Sequence, residues 1–185
     1  MRSCSRPASI LAFLSSARLA MAKKQKLPVT PALRALRAAR IDFTLCPYAY
    51  VPRGGTRASA AALDVPLHAV IKTLVMADVA TKKPLLVLMH GDQAVSTRQL
   101  ARVLGVKTIA PCEPDVAARH TGYQVGGTSP FGTRKTLPVY VEQTILTLDR
   151  IWINGGKRGL LVSLAPAVLI TLLSPTPVNV ARENR

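Results

Sequence analysis

At 185 residues the chain has room for one domain with a real core, and with 49% apolar but only 4% aromatic residues that core is built from Val, Leu, Ile and Ala rather than stacked rings. Such a composition excludes a disordered chain, and no run reaches the roughly 18 uninterrupted apolar residues of a membrane span. The formal net charge of +16 makes nucleic acid the leading partner class, although basic residues near the ends (Arg2, Arg6, Arg18, Lys23, Lys24, Lys26, Arg182, Arg185) also suit a purely solubilising role.

In chain order, Arg2 and Arg6 precede the apolar run Ile10 to Leu14, and Ala20-Met21-Ala22 loosely imitates a small-residue cleavage site. Arg18 interrupts that secretory pattern, whereas Met21-Ala-Lys-Lys leads directly into the first helix signal, so a start at Met21 is the favoured alternative. Residues 1–22 are therefore set apart as an extension, an upstream start or a targeting segment, from a domain over 23–173 and a tail over 174–185. Cys4, Cys46 and Cys112 are odd in number and lack Cys-x-x-Cys spacing, so neither a disulfide framework nor a zinc site is suggested and a cytoplasmic setting fits best.

Thr30-Pro31 predicts a helix start, and the helix runs to about Arg40 with Leu33, Leu36 and Ile41 near one face. A short strand follows over Phe43 to Tyr50, broken by Pro52-Arg-Gly-Gly55, and then an alanine-rich helix over about Ala58 to Leu63. Val70, Ile71, Leu74 and Val75 predict a strand with Lys72 inside it, and Pro84 to Met89 its neighbour across a turn at Thr81-Lys-Lys. Helices are expected over Thr97 to Leu104, closed by Gly105, and from Glu113-Pro114 to Gly122. Strands are expected over Leu137 to Val141, Arg150 to Ile153 and Leu160 to Leu164, with a last helix over Pro166 to Leu173. Strands and helices alternate irregularly, so a mixed α/β (α+β) fold is expected rather than a doubly wound one.

No G-x-G-x-x-G or G-x-x-x-x-G-K-[ST] fingerprint is present, so no nucleotide cofactor is expected, and His68, His90 and His120 lack metal-ligand spacing, so no metal is expected either. The informative segment is Thr121-Gly-Tyr-Gln-Val-Gly-Gly-Thr-Ser-Pro-Phe-Gly132. Its glycines let backbone approach a ligand, and backbone donors gathered in this way bind an anion or a developing oxyanion, although a glycine pair before Ser-Pro is also an ordinary turn. A second glycine turn, Asn154-Gly-Gly-Lys-Arg-Gly159, sets two cations beside flexible backbone, either to meet phosphate or as an exposed hairpin turn.

Taken together, Lys72-Thr73-Leu74 after an Ala-Val-Ile approach, the Thr121–Gly132 loop and Gly155-Gly-Lys-Arg-Gly159 resemble the Cys-tRNA(Pro) deacylase (YbaK/EbsC) family in order and spacing, over about Thr30 to Leu173. Related trans-editing proteins that remove alanine from the same tRNA share the fold and the lysine but usually lack this form of the Gly-Gly-x-Ser-Pro loop. The resemblance implies a compact single domain around a twisted, partly barrel-like mixed sheet with surrounding helices. It also implies hydrolysis of a mischarged aminoacyl ester on tRNA(Pro), without a cofactor, and a transient complex with prolyl-tRNA synthetase away from any membrane.

Carried over by position, Lys72 matches the essential lysine at the terminal nucleotide, and Gly126, Gly127 and Ser129 match the loop beside the substrate carbonyl. These four form the expected catalytic set. Tyr48 matches a pocket tyrosine, and Thr73, Tyr123, Thr128, Gly155, Gly156, Lys157 and Arg158 complete the expected substrate contacts. Glu142 stands where the family commonly has an acidic residue, often Asp, while Pro52 to Thr56 departs from the expected pattern and leaves that wall unassigned. A catalytically silent tRNA- or synthetase-binding module and a basic structural protein are the competing readings; the intact lysine and loop argue against the first, and only the N-terminal segment supports the second.

Overall fold

The computed structural model describes residues 29–183; the N-terminal extension, Met21 and Cys4 lie outside them. Helix α1 (Pro31–Ala38) begins where Thr30 and Pro31 predict it, with the Thr30 hydroxyl accepting the Leu33 N–H at 3.1 Å and burying Ala32, Leu33 and Leu36 behind it. Strand β1 (Thr44–Pro47) is followed by α2 (Gly55–Leu63), which takes in Gly55, Thr56 and Arg57 ahead of the alanine run. A 3-10 turn (Leu67–Ala69) leads into β2 (Val70–Asp78) and its antiparallel neighbour β3 (Pro84–His90). Then come β4 (Gln93–Val95), α3 (Thr97–Val103), β5 (Ile109–Pro111) and α4 (Pro114–Thr121), the last closed by Gly122 at φ 79°. The chain finishes with β6 (Val139–Glu142), a 3-10 turn (Gln143–Thr147), β7 (Ile151–Lys157), β8 (Leu160–Leu164), α5 (Ala167–Leu173), β9 (Thr176–Val178) and β10 (Ala181–Glu183).

The main sheet runs β1-β8-β7-β2-β3-β6-β9, with β5 attached to β2, and β10 pairs with β4 in a separate ladder. The pairs β2–β7, β3–β6 and β6–β9 are parallel and the rest antiparallel, so the architecture is the mixed α/β domain expected from the irregular alternation of elements. Strand β3 shows why its sequence is a continuous apolar run rather than an alternating one. Leu86 and Leu88 join the cluster with α1, α5 and β6–β8, while Leu85, Val87 and Met89 join a second cluster with α3, β5 and Val180. Both faces are therefore dry.

Two features differ from the sequence reading. The stretch Asn154–Lys157 is not a turn: β7 continues through it with a bulge between Asn154 and Lys157, and only Arg158-Gly159 reverses the chain. Residues 176–178 and 181–183 form strands, and Pro177 is tolerated in β9 because that strand sits at the sheet edge and pairs with β6 alone.

Candidate active site

Strand β2 is paired with β3 throughout Ile71–Ala77, but its other edge is split. There β7 covers Val70 and Ile71, β5 covers Met76–Asp78, and among the described residues no strand covers Lys72–Val75 between them. A cavity of about 550 Å³ lies at this split, within the range of roughly 300–1,000 Å³ usual for small-molecule sites. Because it occupies a gap in the sheet, residues from both faces of β2 line it, from Val70 to Met76. Helix α2 contributes Thr56 and Ser59, the chain after β1 contributes Tyr48 and Tyr50, and the glycine loop contributes Val125, Gly126 and Thr128.

Lys72 reaches the site from within β2, and its ammonium donates to the Gln93 carbonyl of β4. Burial pushes its pKa below the ordinary lysine value, opposed by the carboxylate of Asp92. Asp92 in turn receives His68 Nδ1 at 2.9 Å, and the His68 ring stacks on that of His90 with centroids 3.7 Å apart. His90 is fully buried; its Nδ1 donates to the His68 carbonyl at 2.7 Å, so Nε2 of the neutral ring accepts from the Thr144 hydroxyl at 2.8 Å. Desolvation holds the His90 pKa below the usual imidazole value, which favours that neutral tautomer. The histidines thus brace the turn that carries Asp92.

The glycine loop is held from outside by the β7–β8 hairpin. Arg158 Nε donates to the Val125 carbonyl at 2.9 Å, Asn154 Nδ2 donates to the Gly126 carbonyl at 3.1 Å, and the Arg158 guanidinium lies 5.6 Å from the centre of the Tyr50 ring. Gly126 adopts φ 84°, which side chains disfavour, and a Cβ on Gly127 would sit 3.0 Å from the Arg158 nitrogen, so close that the hairpin backbone would have to shift. The glycine pair is explained by this close packing of loop on hairpin. Burial pushes the Tyr123 phenol up to about 12, and its hydroxyl donates to the Phe131 carbonyl at 2.7 Å, closing the loop on itself.

Of the expected site residues, Lys72, Thr73, Tyr48, Gly126, Thr128 and Arg158 meet around the cavity. Gly127, Ser129, Tyr123, Gly155, Gly156, Lys157 and Glu142 do not line it. Ser129 is wholly buried and accepts the Phe131 N–H at 3.4 Å, shaping the loop from inside. Glu142, 1% exposed, gives one carboxylate oxygen to the N–H groups of Val180 and Ala181, so its place is corrected from a substrate contact to an anchor of the C-terminal segment. Lys157 projects from the exposed end of β7.

Sequence reasoning left Arg53 and Thr56 in an unassigned wall and missed Tyr50, Ser59, Cys112 and Asn154, and all six line the cavity. Tyr50 was findable, since it stands two residues after Tyr48, and Thr56 and Ser59 are the polar pair at i, i+3 in an alanine helix. Burial pushes the Cys112 thiol above its usual pKa. A second cavity, of about 570 Å³, adjoins the first at Pro111 and Cys112 and is lined by Lys82, Arg119 and Lys135 together with Asp78 and Glu113. Among the described residues no helix is long and apolar enough to cross a membrane.

Comparison with known proteins places this geometry. EbsC of Enterococcus faecalis, named as a candidate Cys-tRNA(Pro)/Cys-tRNA(Cys) deacylase, is 28% identical over 153 residues, 82% of this chain and 93% of its own length. The crystal structure of the hypothetical protein APE2540 superposes with a TM-score of 0.74 at 20% identity, covering 82% of this chain and 99% of that one. The crystal structure of a candidate trans-editing enzyme for prolyl tRNA synthetase superposes with a TM-score of 0.70 at 21% identity, covering 84% of this chain and 99% of that one. At such identities these two structures establish the shared fold. A family model described as the aminoacyl-tRNA editing domain matches residues 53–172, which take in Lys72, the glycine loop and the β7–β8 hairpin. The chain therefore belongs to the aminoacyl-tRNA editing domain family, and its activity is deacylation of aminoacyl-tRNA.

Proposed function

We propose that the substrate is cysteine misattached to tRNA(Pro), and that the substrate's own thiol is the nucleophile. The observation that carries this reading is the cavity's chemistry: it holds Lys72 and the glycine loop, but its one thiol, Cys112, is held protonated by burial, and none of the three histidines lines it. The name of EbsC supports the same amino acid. A cysteinyl ester carries sulfur within reach of its carbonyl. In the step proposed, that sulfur adds to the ester carbonyl, the bond to the terminal ribose oxygen breaks, and the thiol proton ends on that oxygen. The products are free tRNA and a cyclic thiolactone, which water then opens.

Lys72 positions the terminal nucleotide, and backbone at Gly126 and Thr128 stabilises the oxyanion, with Gly127 and Ser129 keeping that loop in shape. Residues 23–173, completed by strands β9 and β10, act as the deacylase unit, and a transient complex with prolyl-tRNA synthetase selects the tRNA, because a positive field distinguishes tRNAs poorly. The test incubates purified protein with Cys-tRNA(Pro), Ser-tRNA(Pro), Ala-tRNA(Pro) and Pro-tRNA(Pro), alongside a Cys46→Ala, Cys112→Ala double variant. Rapid, thiol-dependent loss of cysteine by both proteins is expected. Equal rates on the seryl and cysteinyl esters, or a folded but inactive double variant, would replace this mechanism with a protein nucleophile or an activated water.

A further inference from the structure

The split edge of β2 presents backbone to the cavity. In an extended strand the N–H and C=O of one residue point to the same edge, and the residue two positions along repeats that direction. The Cys112 N–H donates to the Val75 carbonyl at 2.9 Å, so the polar groups of Val75 face the split. Those of Thr73 therefore face it too, at a position that neither β7 nor β5 covers. The Thr73 hydroxyl oxygen is also buried and has no hydrogen-bond partner among the described residues, an arrangement that costs stability unless a ligand completes it. One residue thus offers a donor and two acceptors to a cavity whose wall at β2 is otherwise apolar apart from Lys72.

An α-aminoacyl ester contains the N–Cα–C=O unit of a peptide residue. Set opposite Thr73, it makes the two bonds of a single antiparallel residue pair: the Thr73 N–H donates to the ester carbonyl oxygen, and the α-amino group donates to the Thr73 carbonyl. A second amino proton goes to the Thr73 hydroxyl. We propose that Thr73 is the residue by which the enzyme selects esters with a free α-amino group, the acyl unit binding as a one-residue strand in the gap between β7 and β5. Resting on the reading of the cavity as the aminoacyl pocket, this adds a criterion independent of the side chain. N-acylated esters, the class to which peptidyl-tRNA belongs, retain one proton on nitrogen and leave the hydroxyl unpaired, so they are turned away.

The experiment compares cysteinyl-tRNA(Pro) with 3-mercaptopropionyl-tRNA(Pro), which keeps the thiol and the ester but has no amino group. Each kcat/KM is divided by the uncatalysed rate of the same ester, since the amino group itself activates the carbonyl. The parent is expected to favour the cysteinyl ester by about 10-fold or more on this scale, the loss that follows when a buried polar group goes unpaired. Thr73→Val keeps the backbone carbonyl but not the hydroxyl, so it should narrow that preference, through the cysteinyl ester alone, while melting no lower than the parent, and Thr73→Ser should restore it. An active Thr73→Val enzyme that still discriminates as the parent does overturns the proposal by itself. A parent that accelerates neither ester over background overturns the aminoacyl-pocket reading and the proposal together.

Discussion

A single carboxylate oxygen of Glu142 accepts both the Val180 and the Ala181 N–H, each at 2.8 Å, and so fastens the C-terminal ladder to the end of β6. Glu142→Ala leaves one buried and one half-buried donor unpaired and should cost about 2–4 kcal/mol. For a domain of this size the melting temperature falls by roughly 5–15 °C. Because Glu142 lies outside the cavity, kcat/KM per folded molecule should hold, and a melting curve beside an assay well below the transition separates the two effects.

Lys72→Ala should remove deacylation while leaving circular dichroism unchanged, since the lysine's partner in the folded protein is a backbone carbonyl rather than a buried carboxylate. The stability effect has a definite sign. The folded pKa lies below the ordinary 10.5, so between those two values the unfolded chain binds more protons and stability rises with pH; below that window, at neutral pH, the full cost of the buried charge is present. Lys72→Met should therefore melt at or above the parent at pH 7 and show a flatter dependence on alkaline pH. Calorimetry between pH 7 and 10.5 reads both.

Acidification tests the histidine brace. His90 has a folded pKa below the ordinary 6.5, so between the two the unfolded state binds more protons and stability is lost as pH falls through 6.5. His120 is shifted in the same direction, by desolvation first and then by Lys135 and Arg119, and contributes in the same window. The melting temperature should drop between pH 7 and 5, with a smaller slope in His90→Asn and in His120→Gln. An unchanged slope in both variants would move the acid sensitivity elsewhere.

Binding of tRNA should weaken steeply with salt, as 25 Lys and Arg residues against 9 Asp and Glu release condensed counterions from the phosphate backbone. Neutralising about four phosphates predicts roughly a 100-fold loss between 50 and 200 mM salt. Filter binding across that range gives the slope, and Arg119→Ala with Lys135→Ala, both beside the second cavity, should reduce it by about one to two units if the acceptor stem runs over that face.

Most elements were legible because their signals are local: the Thr30 cap, the Pro114 start and the dry run of β3 each follow from a few adjacent residues. The site was legible only as motifs. Gly126-Gly127 announces that glycine is needed, but the reason is Arg158 backbone thirty residues away in sequence, on the order of 3 Å from where a Cβ would stand. Ser129 and Tyr123 belong to the same motif yet act inward, on Phe131. The split beside Lys72–Val75 left no mark in the sequence at all, because it depends on where two other strands stop. Strands β9 and β10 were hidden by Pro175, Pro177 and their brevity, features that only an edge position excuses.

The carbonyl that receives Lys72 belongs to Gln93, and Gln93 is paired with Glu183 through the β4–β10 ladder. The anchor of the central lysine is thus completed by a strand that follows it far along the chain. On the ribosome, the segment from Thr176 onward must clear the exit tunnel before that ladder can form, so a nascent chain carries every motif of an editing enzyme while its lysine still lacks its seat. Activity is in this way deferred until β10 has emerged, and removing β10, remote in sequence from the motifs, should reach the heart of the site.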